Sequence, residues 1–156
     1  MNAVVKKANK LRFCWIALMT GIFTVWSCLK IVTGSYLIKD FRPFVDKIMF
    51  KWSKRLLGLI GLKVNVVGLE KMPIGNHRPL IVMCNHSSLY DIPISAHALQ
   101  TSSRMLTKKE LFSIPIFGSG LRRGEYISID RNNRDQSLKD LENAKNKVLS
   151  GIVLWV

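Results

Sequence analysis

From Phe13 to Leu29 the chain carries no charged residue, and after a single Lys30 the apolar character runs on to Ile38. No other feature restricts the fold so strongly. A backbone with so few polar side chains around it must hydrogen-bond within itself, and a stretch of this length suits a helix that enters a bilayer. Trp15 and Trp26 belong to it, and indoles favour the headgroup boundary. A cleaved secretory signal and a helix buried in a soluble core are the competing readings. The first is disfavoured because no small-x-small cleavage site follows. The cysteines argue the same way. Cys14, Cys28 and Cys84 are odd in number and form no Cys-x-x-Cys pair, which fits a reducing compartment rather than a disulfide framework.

Basic residues flank the apolar run on both sides: Lys6, Lys7, Lys10 and Arg12 before it, then Lys39, Arg42, Lys47, Lys51, Lys54 and Arg55 after it. Positive charge marks the cytoplasmic side of a membrane. Both flanks are therefore expected there, which favours a helical hairpin or re-entrant segment, broken near Lys30 to Gly34, over a single span. Residues 44–60 then read as a helix. Phe44, Ile48, Trp52, Leu56 and Ile60 recur at four-residue spacing, joined by Val45 and Met49, and Gly58 and Gly61 end it. A basic amphipathic helix of this kind suits a headgroup layer, or packs on a sheet. Residues 1–61 are thus expected to form a membrane-associating helical unit. The whole chain has 24 lysines and arginines against 10 acidic residues, a net charge of +14, which favours anionic partners: nucleic acid, lipid headgroups, or phosphorylated substrates and coenzymes. Much of that charge borders membrane-seeking segments and no recognition motif accompanies it, so membrane lipid is the expected partner and nucleic acid is not.

From Leu62 onward strand and helix patterns alternate. Strands are expected at Leu62–Val67, Pro79–Cys84, Arg104–Thr107, Glu125–Asp130 and Ile152–Val156. Helices are expected at Ile92–Leu99 and at Gln136–Leu149, the latter with Leu138, Leu141, Ala144 and Val148 on one face. Pro73–Arg78 is a turn-rich loop, and Phe112–Leu121 an apolar loop or short helix that could line a groove or simply pack in the core. The fold class that follows is α/β, a largely parallel sheet flanked by helices, with ligand sites at the carboxyl ends of its strands. Leu80–Cys84 reads as a central strand of that sheet, and Ile152–Val156 as an exposed apolar edge inviting aggregation.

The Leu80–Cys84 strand delivers Asn85-His86-Ser87-Ser88-Leu89-Tyr90-Asp91. Imidazole titrates near neutral pH and can take a proton from a hydroxyl, and a carboxylate on its other nitrogen sets the tautomer. Asp91 before Ile92-Pro93 is equally a good helix cap, and His86 a hydrogen-bonded histidine at a strand end. Ser87 or Ser88 as a nucleophile is a weaker alternative, since adjacent residues seldom align and Gly118-Ser119-Gly120 is not a full Gly-x-Ser-x-Gly elbow. His77, His86 and His97 have no metal-ligand spacing, so no zinc site is expected. Arg131 ends another strand, where its planar fork suits phosphate.

Asn85, His86 and Asp91 together fit the Asn-His-x4-Asp motif, and this block resembles the 1-acylglycerol-3-phosphate acyltransferases. Tyr126-Ile127-Ser128-Ile129-Asp130-Arg131 resembles that family's second motif, a strand ending in Ile-Asp-Arg. Lys108-Lys109-Glu110-Leu111 and Ile114-Pro115-Ile116-Phe117-Gly118 resemble the segments between. The similarity covers Gly58 to Val156. The resemblance implies acyl transfer from acyl-coenzyme A or acyl carrier protein to the sn-2 hydroxyl of lysophosphatidic acid, with no cofactor besides the donor. It implies His86 as the base, Asp91 as its orienter, and Arg131 on the acceptor phosphate. Asn85, Lys108 and Arg123 complete the substrate-binding set expected here; Lys109 and Arg122 could assist too, and a solvated basic surface is the competing reading for each of these four lysines and arginines. The expected location is the cytoplasmic face of a membrane, a bacterial inner membrane by preference. Two departures stand out. Glu125 occupies the place where the family has glycine next to the second-motif strand. The chain also ends on Val153–Val156, before the family's Pro-Glu-Gly-Thr motif. The 156 residues are therefore expected to be a fragment, with 62–156 a partial catalytic domain, and to lack activity alone.

Overall fold

The computed structural model describes residues 9–73 and 79–156. Lys6, Lys7, His77 and most of the expected Pro73–Arg78 loop lie outside them. The apolar run forms one helix, α1 (Lys10–Leu37), begun by Asn9, whose side chain accepts from the Leu11 N–H at 3.2 Å. At 1.5 Å per residue it is about 42 Å long. By length and composition it can cross a membrane. The break expected near Lys30 to Gly34 does not occur. Instead the helix runs through Gly34 and ends at Leu37. Gly34 does not interrupt it because its missing side chain is used: a Cβ there would lie 2.2 Å from Cε1 of Phe44. The following helix α2 (Phe41–Ile60) folds back along α1, with Trp52 donating to the Thr24 hydroxyl at 3.0 Å. The hairpin expected within the apolar run is therefore not found; the run is a single helix, and α1 instead forms a hairpin with α2 across a turn at Ile38–Asp40. Gly61 closes α2 in the left-handed conformation, with the Leu62 N–H reaching back to the Leu57 carbonyl.

A four-stranded sheet follows, made of β1 (Ile81–Val82), β2 (Ser103–Lys108), β3 (Ile127–Ile129) and β4 (Val153–Trp155). The order is β1-β4-β2-β3 and every pairing is parallel. Helices α3 (Asp91–Leu99), α4 (Phe117–Arg123) and α5 (Arg134–Leu149) make the crossovers. Three expectations are corrected. Leu62–Val67 is not a strand: it pairs with nothing among the described residues and Val67 is almost fully exposed. β1 is an edge strand rather than a central one. β4 lies between β1 and β2 with Val153, Leu154 and Trp155 buried, so it is not the exposed edge. The cause is common to both strands: chain order does not dictate sheet order when every connection is a crossover.

Packing follows the same division. Ala144 and Val148 of α5 bury against Ile127, Leu154 and Leu106 on one face of the sheet. Leu138 and Leu141, expected on that face, are instead largely exposed. A second cluster, Ile31, Val45 and Ile48 with Phe41, Phe44 and Met49, holds the hairpin together. The hairpin is also tied to the sheet. Gly120 of α4 approaches Cys28 so closely that a Cβ would sit 2.7 Å from its sulfur. Arg42 forks onto Glu125 at 2.7 and 2.9 Å. Arg104, in β2 and only 1% exposed, donates to the Asp46 carboxylate of α2 at 2.7 Å and to the Gly124 carbonyl at 2.5 Å. Among the described residues the N-terminal half of α1 has no such partners, and Leu11, Phe13, Trp15, Leu18 and Ile22 are exposed.

Candidate active site

Because all four strands run parallel, their carboxyl ends open on one edge of the sheet. Asn85 and His86 follow β1 there, Lys108 ends β2, and Asp130-Arg131 follows β3. The chain between β1 and α3 turns tightly around one oxygen. Asp91 Oδ2 accepts from the N–H groups of Ser87 and Ser88, both at 2.8 Å, and meets His86 Nδ1 at 3.0 Å. Asp91 is the first residue of α3, so it does not cap the helix from outside; the flanking Tyr90 has no side-chain cap bond. Its pKa is lowered, chiefly by the Ser88 N–H, against partial desolvation, with Ser87 and His86 adding to the effect. A carboxylate held ionised only accepts, so Nδ1 must carry the hydrogen. In neutral His86 the proton-accepting nitrogen is then Nε2. Among the described residues the imidazole hydrogen-bonds only Asp91, and Ser88 Oγ instead accepts from the Tyr90 N–H at 3.1 Å. No hydroxyl is therefore arranged as a nucleophile for His86.

The other strand ends are organised around Asp130. Lys109 Nζ meets its Oδ2 at 2.5 Å, the Asn132 N–H its Oδ1 at 3.0 Å, and the Asp130 N–H donates to buried Asp140 at 2.9 Å. Its pKa is lowered, mainly by the Lys109 bond. Lys109, read from the sequence as an assisting group or as surface, is thus committed to an ion pair, while Arg131 is exposed and makes no ion pair among the described residues. Arg131 and His86 stand at opposite margins of the edge, three strand spacings or about 14 Å apart laterally. Lys108 is exposed between them. Arg123 is not brought to this edge. It ends α4 ahead of β3, at the amino end of the sheet, where its guanidinium covers the Tyr36 ring and donates to the Tyr36 hydroxyl at 3.0 Å. Arg122 donates to the Phe112 carbonyl. Asn85 is exposed beside His86.

The loop after β2 answers the question left by its composition. Lys109–Ser113 is a short 3-10 helix, and the stretch divides: Leu111, Ile114 and Ile116 are exposed, Phe112 and Phe117 are half-buried, and Leu121 of α4 is packed in the core. With Met83 (77% exposed) and Leu89 (82%) the exposed three give the rim of the open edge an apolar border. Sequence reasoning missed the buried Arg104–Asp46 pair and the role of Asp140. The only advance signal was a charge at the start of a buried-looking strand.

The matches to known proteins lie on the same elements. The family model described as Acyltransferase matches residues 63–156. The chain belongs to the acyltransferase family. Over 139 residues this acyltransferase chain is 27% identical to a 1-acyl-sn-glycerol-3-phosphate acyltransferase of Pseudomonas aeruginosa, covering 85% of the chain and 51% of that protein. A yeast (Saccharomyces cerevisiae) protein of the same name is 29% identical over 102 residues, 63% of this chain and 32% of its own length. Among solved structures, the 1-acyl-sn-glycerophosphate acyltransferase PlsC of Thermotoga maritima superposes with a TM-score of 0.76 at 26% identity, over 95% of this chain and 59% of that one. The acyltransferase chain therefore spans about a quarter to a half of the curated relatives it matches.

Proposed function

We propose that this acyltransferase moves a fatty acyl group from acyl-coenzyme A or acyl carrier protein to the sn-2 hydroxyl of 1-acylglycerol-3-phosphate, forming phosphatidic acid at the cytoplasmic face of a membrane. The observation that carries the proposal is the Asp91-held imidazole, its Nδ1 on the carboxylate and its side chain exposed after β1, at the carboxyl edge of the sheet. Nε2 takes the hydroxyl proton as the oxygen attacks the thioester carbonyl. The tetrahedral intermediate collapses, the C–S bond breaks, and the imidazolium returns the proton to the thiolate. General-base help of this kind is worth about a hundred- to ten-thousandfold. A thiolate leaves readily, so no acyl-enzyme is needed, and holding donor and acceptor together supplies roughly 7–11 kcal/mol in favourable cases.

Arg131 is the group proposed for the acceptor phosphate, since its fork is exposed while neighbouring Lys109 is neutralised by Asp130. Lys108 and Asn85 flank the path between the two. The exposed half of α1 is proposed as the membrane anchor. α2 starts near the amino end of the sheet, at the Glu125 pair, and runs toward the other edge, while α1 runs antiparallel to it. The free half of α1 therefore projects on the side where His86 opens, beside the apolar rim.

The test uses membranes of a host without this activity that expresses the gene encoding this chain. Acyl-coenzyme A or acyl carrier protein is supplied with lysophosphatidic acid. Phosphatidic acid is expected from the wild type and not from His86→Ala, with both proteins retained after a carbonate wash. Near-normal turnover by His86→Ala refutes the mechanism. Absence of transfer with either donor favours an inactive membrane-bound remnant.

A further inference from the structure

We propose that Trp155 is a positioning residue for His86; the inference rests on the acyl-transfer role proposed for that histidine. Asp91 fixes one atom of the imidazole, and a single hydrogen bond leaves the ring free to swing about it. The second restraint comes from β4. Trp155 ends that strand with 3% of its surface exposed, and its ring meets that of His86 in an edge arrangement, centroids 5.7 Å apart and planes at 80°. Aromatic pairs prefer this T-shaped contact. The sheet explains why the two meet. Trp155 pairs with Val82 in the β1–β4 register, and the ladder continues through the Val156 N–H to Val82 and the Cys84 N–H to Val156. Residues two apart on a strand share a face, so Val82, Cys84 and Trp155 stand together.

The indole is itself pinned. Its Nε1 donates to Cys84 Sγ at 3.1 Å, which fixes the ring's rotation beneath the backbone that carries Asn85 and His86. Among the described residues Trp155 makes no cation-π contact, and its one polar atom, Nε1, is taken by Cys84, so its effect must pass through the imidazole. With Nδ1 held by Asp91 and the ring braced by Trp155, Nε2 has one direction. The edge position of β1 makes the brace necessary: a two-residue edge strand, paired on one side only, holds its own end loosely.

Two measurements test this. In the first, acyl transfer is assayed for Trp155→Phe, which keeps an aromatic ring, and Trp155→Leu, which does not. Trp155→Leu is expected to lower kcat tenfold or more, with KM for donor and acceptor within twofold of the wild type. Trp155→Phe is expected to stay within about threefold. Equal loss in both variants, or a rise in KM in proportion to the fall in kcat, overturns the proposal in favour of simple core packing.

The second measurement does not depend on activity. In protein labelled with 5-fluorotryptophan, the resonance missing from Trp155→Phe is that of Trp155. It should shift in His86→Gln, while the resonances of Trp15, Trp26 and Trp52 stay fixed. A Trp155 resonance that ignores His86 overturns the contact itself. If the contact is seen but the wild type transfers no acyl group, the acyl-transfer reading fails, and Trp155 is left as a packing partner of His86 with no catalytic positioning role.

Discussion

At the scale of a residue, Asp91 is held by its backbone surroundings as much as by its histidine partner. Its Oδ2 is shared by two backbone N–H groups and one imidazole, so the carboxylate stays ionised and its direction is set by the backbone rather than by the histidine. Asp91→Asn can still place an oxygen there, but it offers a neutral acceptor or, turned over, a donor. It therefore no longer balances the imidazolium formed during transfer. The expected result is a fall in kcat of roughly a hundredfold or more, with membrane binding unchanged, read from turnover and sedimentation of the same preparation. Arg131 is predicted to behave differently. Arg131→Lys keeps the charge and loses the planar fork, so KM for lysophosphatidic acid should rise far more than KM for the acyl donor. Equal rises would mark Arg131 as structural.

At the scale of elements, patterns decided locally were legible and those decided by distant partners were not. α5 announces itself by its period, and the structure adds the cap, Asn133, whose side chain accepts from the Gln136 N–H at 3.1 Å; β2 and α2 are similarly plain in the sequence. His86 and Asp91 were legible because five residues around a tight turn bring them together without help from the rest of the fold. The edge position of β1, the interior position of β4 and the isolation of Leu62–Val67 depend on sheet order, which no local pattern encodes. The break expected in the apolar run fails for a related reason: Gly34 looks like a breaker until Phe44 arrives to occupy its surface. That contact gives a prediction. Gly34→Leu must displace the Phe44 ring and should cost about 1–3 kcal/mol through overpacking, lowering the melting temperature in detergent. Gly21→Leu, on the same helix with open space around the position, should cost nothing or stabilise slightly, because glycine is the poorer helix former. Equal shifts in the two variants would show that the hairpin is not packed as described.

Across the whole molecule, the α1–α2 hairpin is fastened to the amino end of the sheet, and Glu125 is one of the fastening points. Arg42 from α2 forks onto it and Lys147 from α5 adds a third bond at 3.2 Å. The Arg42 fork, with partial burial opposing and Lys147 assisting, lowers its pKa from 4.5 to about 2. A depressed carboxylate stabilises the folded state above its unfolded pKa and loses that contribution as pH falls through the folded value. The window is therefore about pH 4.5 down to about 2. The full shift corresponds to about 3 kcal/mol. Arg42 and Lys147 are a third or more exposed, so screening reduces the expected contribution to about 1–2 kcal/mol. Glu125→Gln should lower the unfolding free energy by that amount at pH 7 in denaturant titrations, and the difference should vanish near pH 2. Glu125 also has φ of +63°, a backbone that glycine, usual at this place in the family, adopts without cost. Glu125→Gly should therefore lose the ion pairs but relieve strain. Relative to the wild type it should be the less affected of the two variants at pH 7, and more stable than the wild type near pH 2. A Glu125→Gly protein that loses as much as Glu125→Gln at both pH values would show that the ion-pair node, and not the backbone, sets the conformation of this turn.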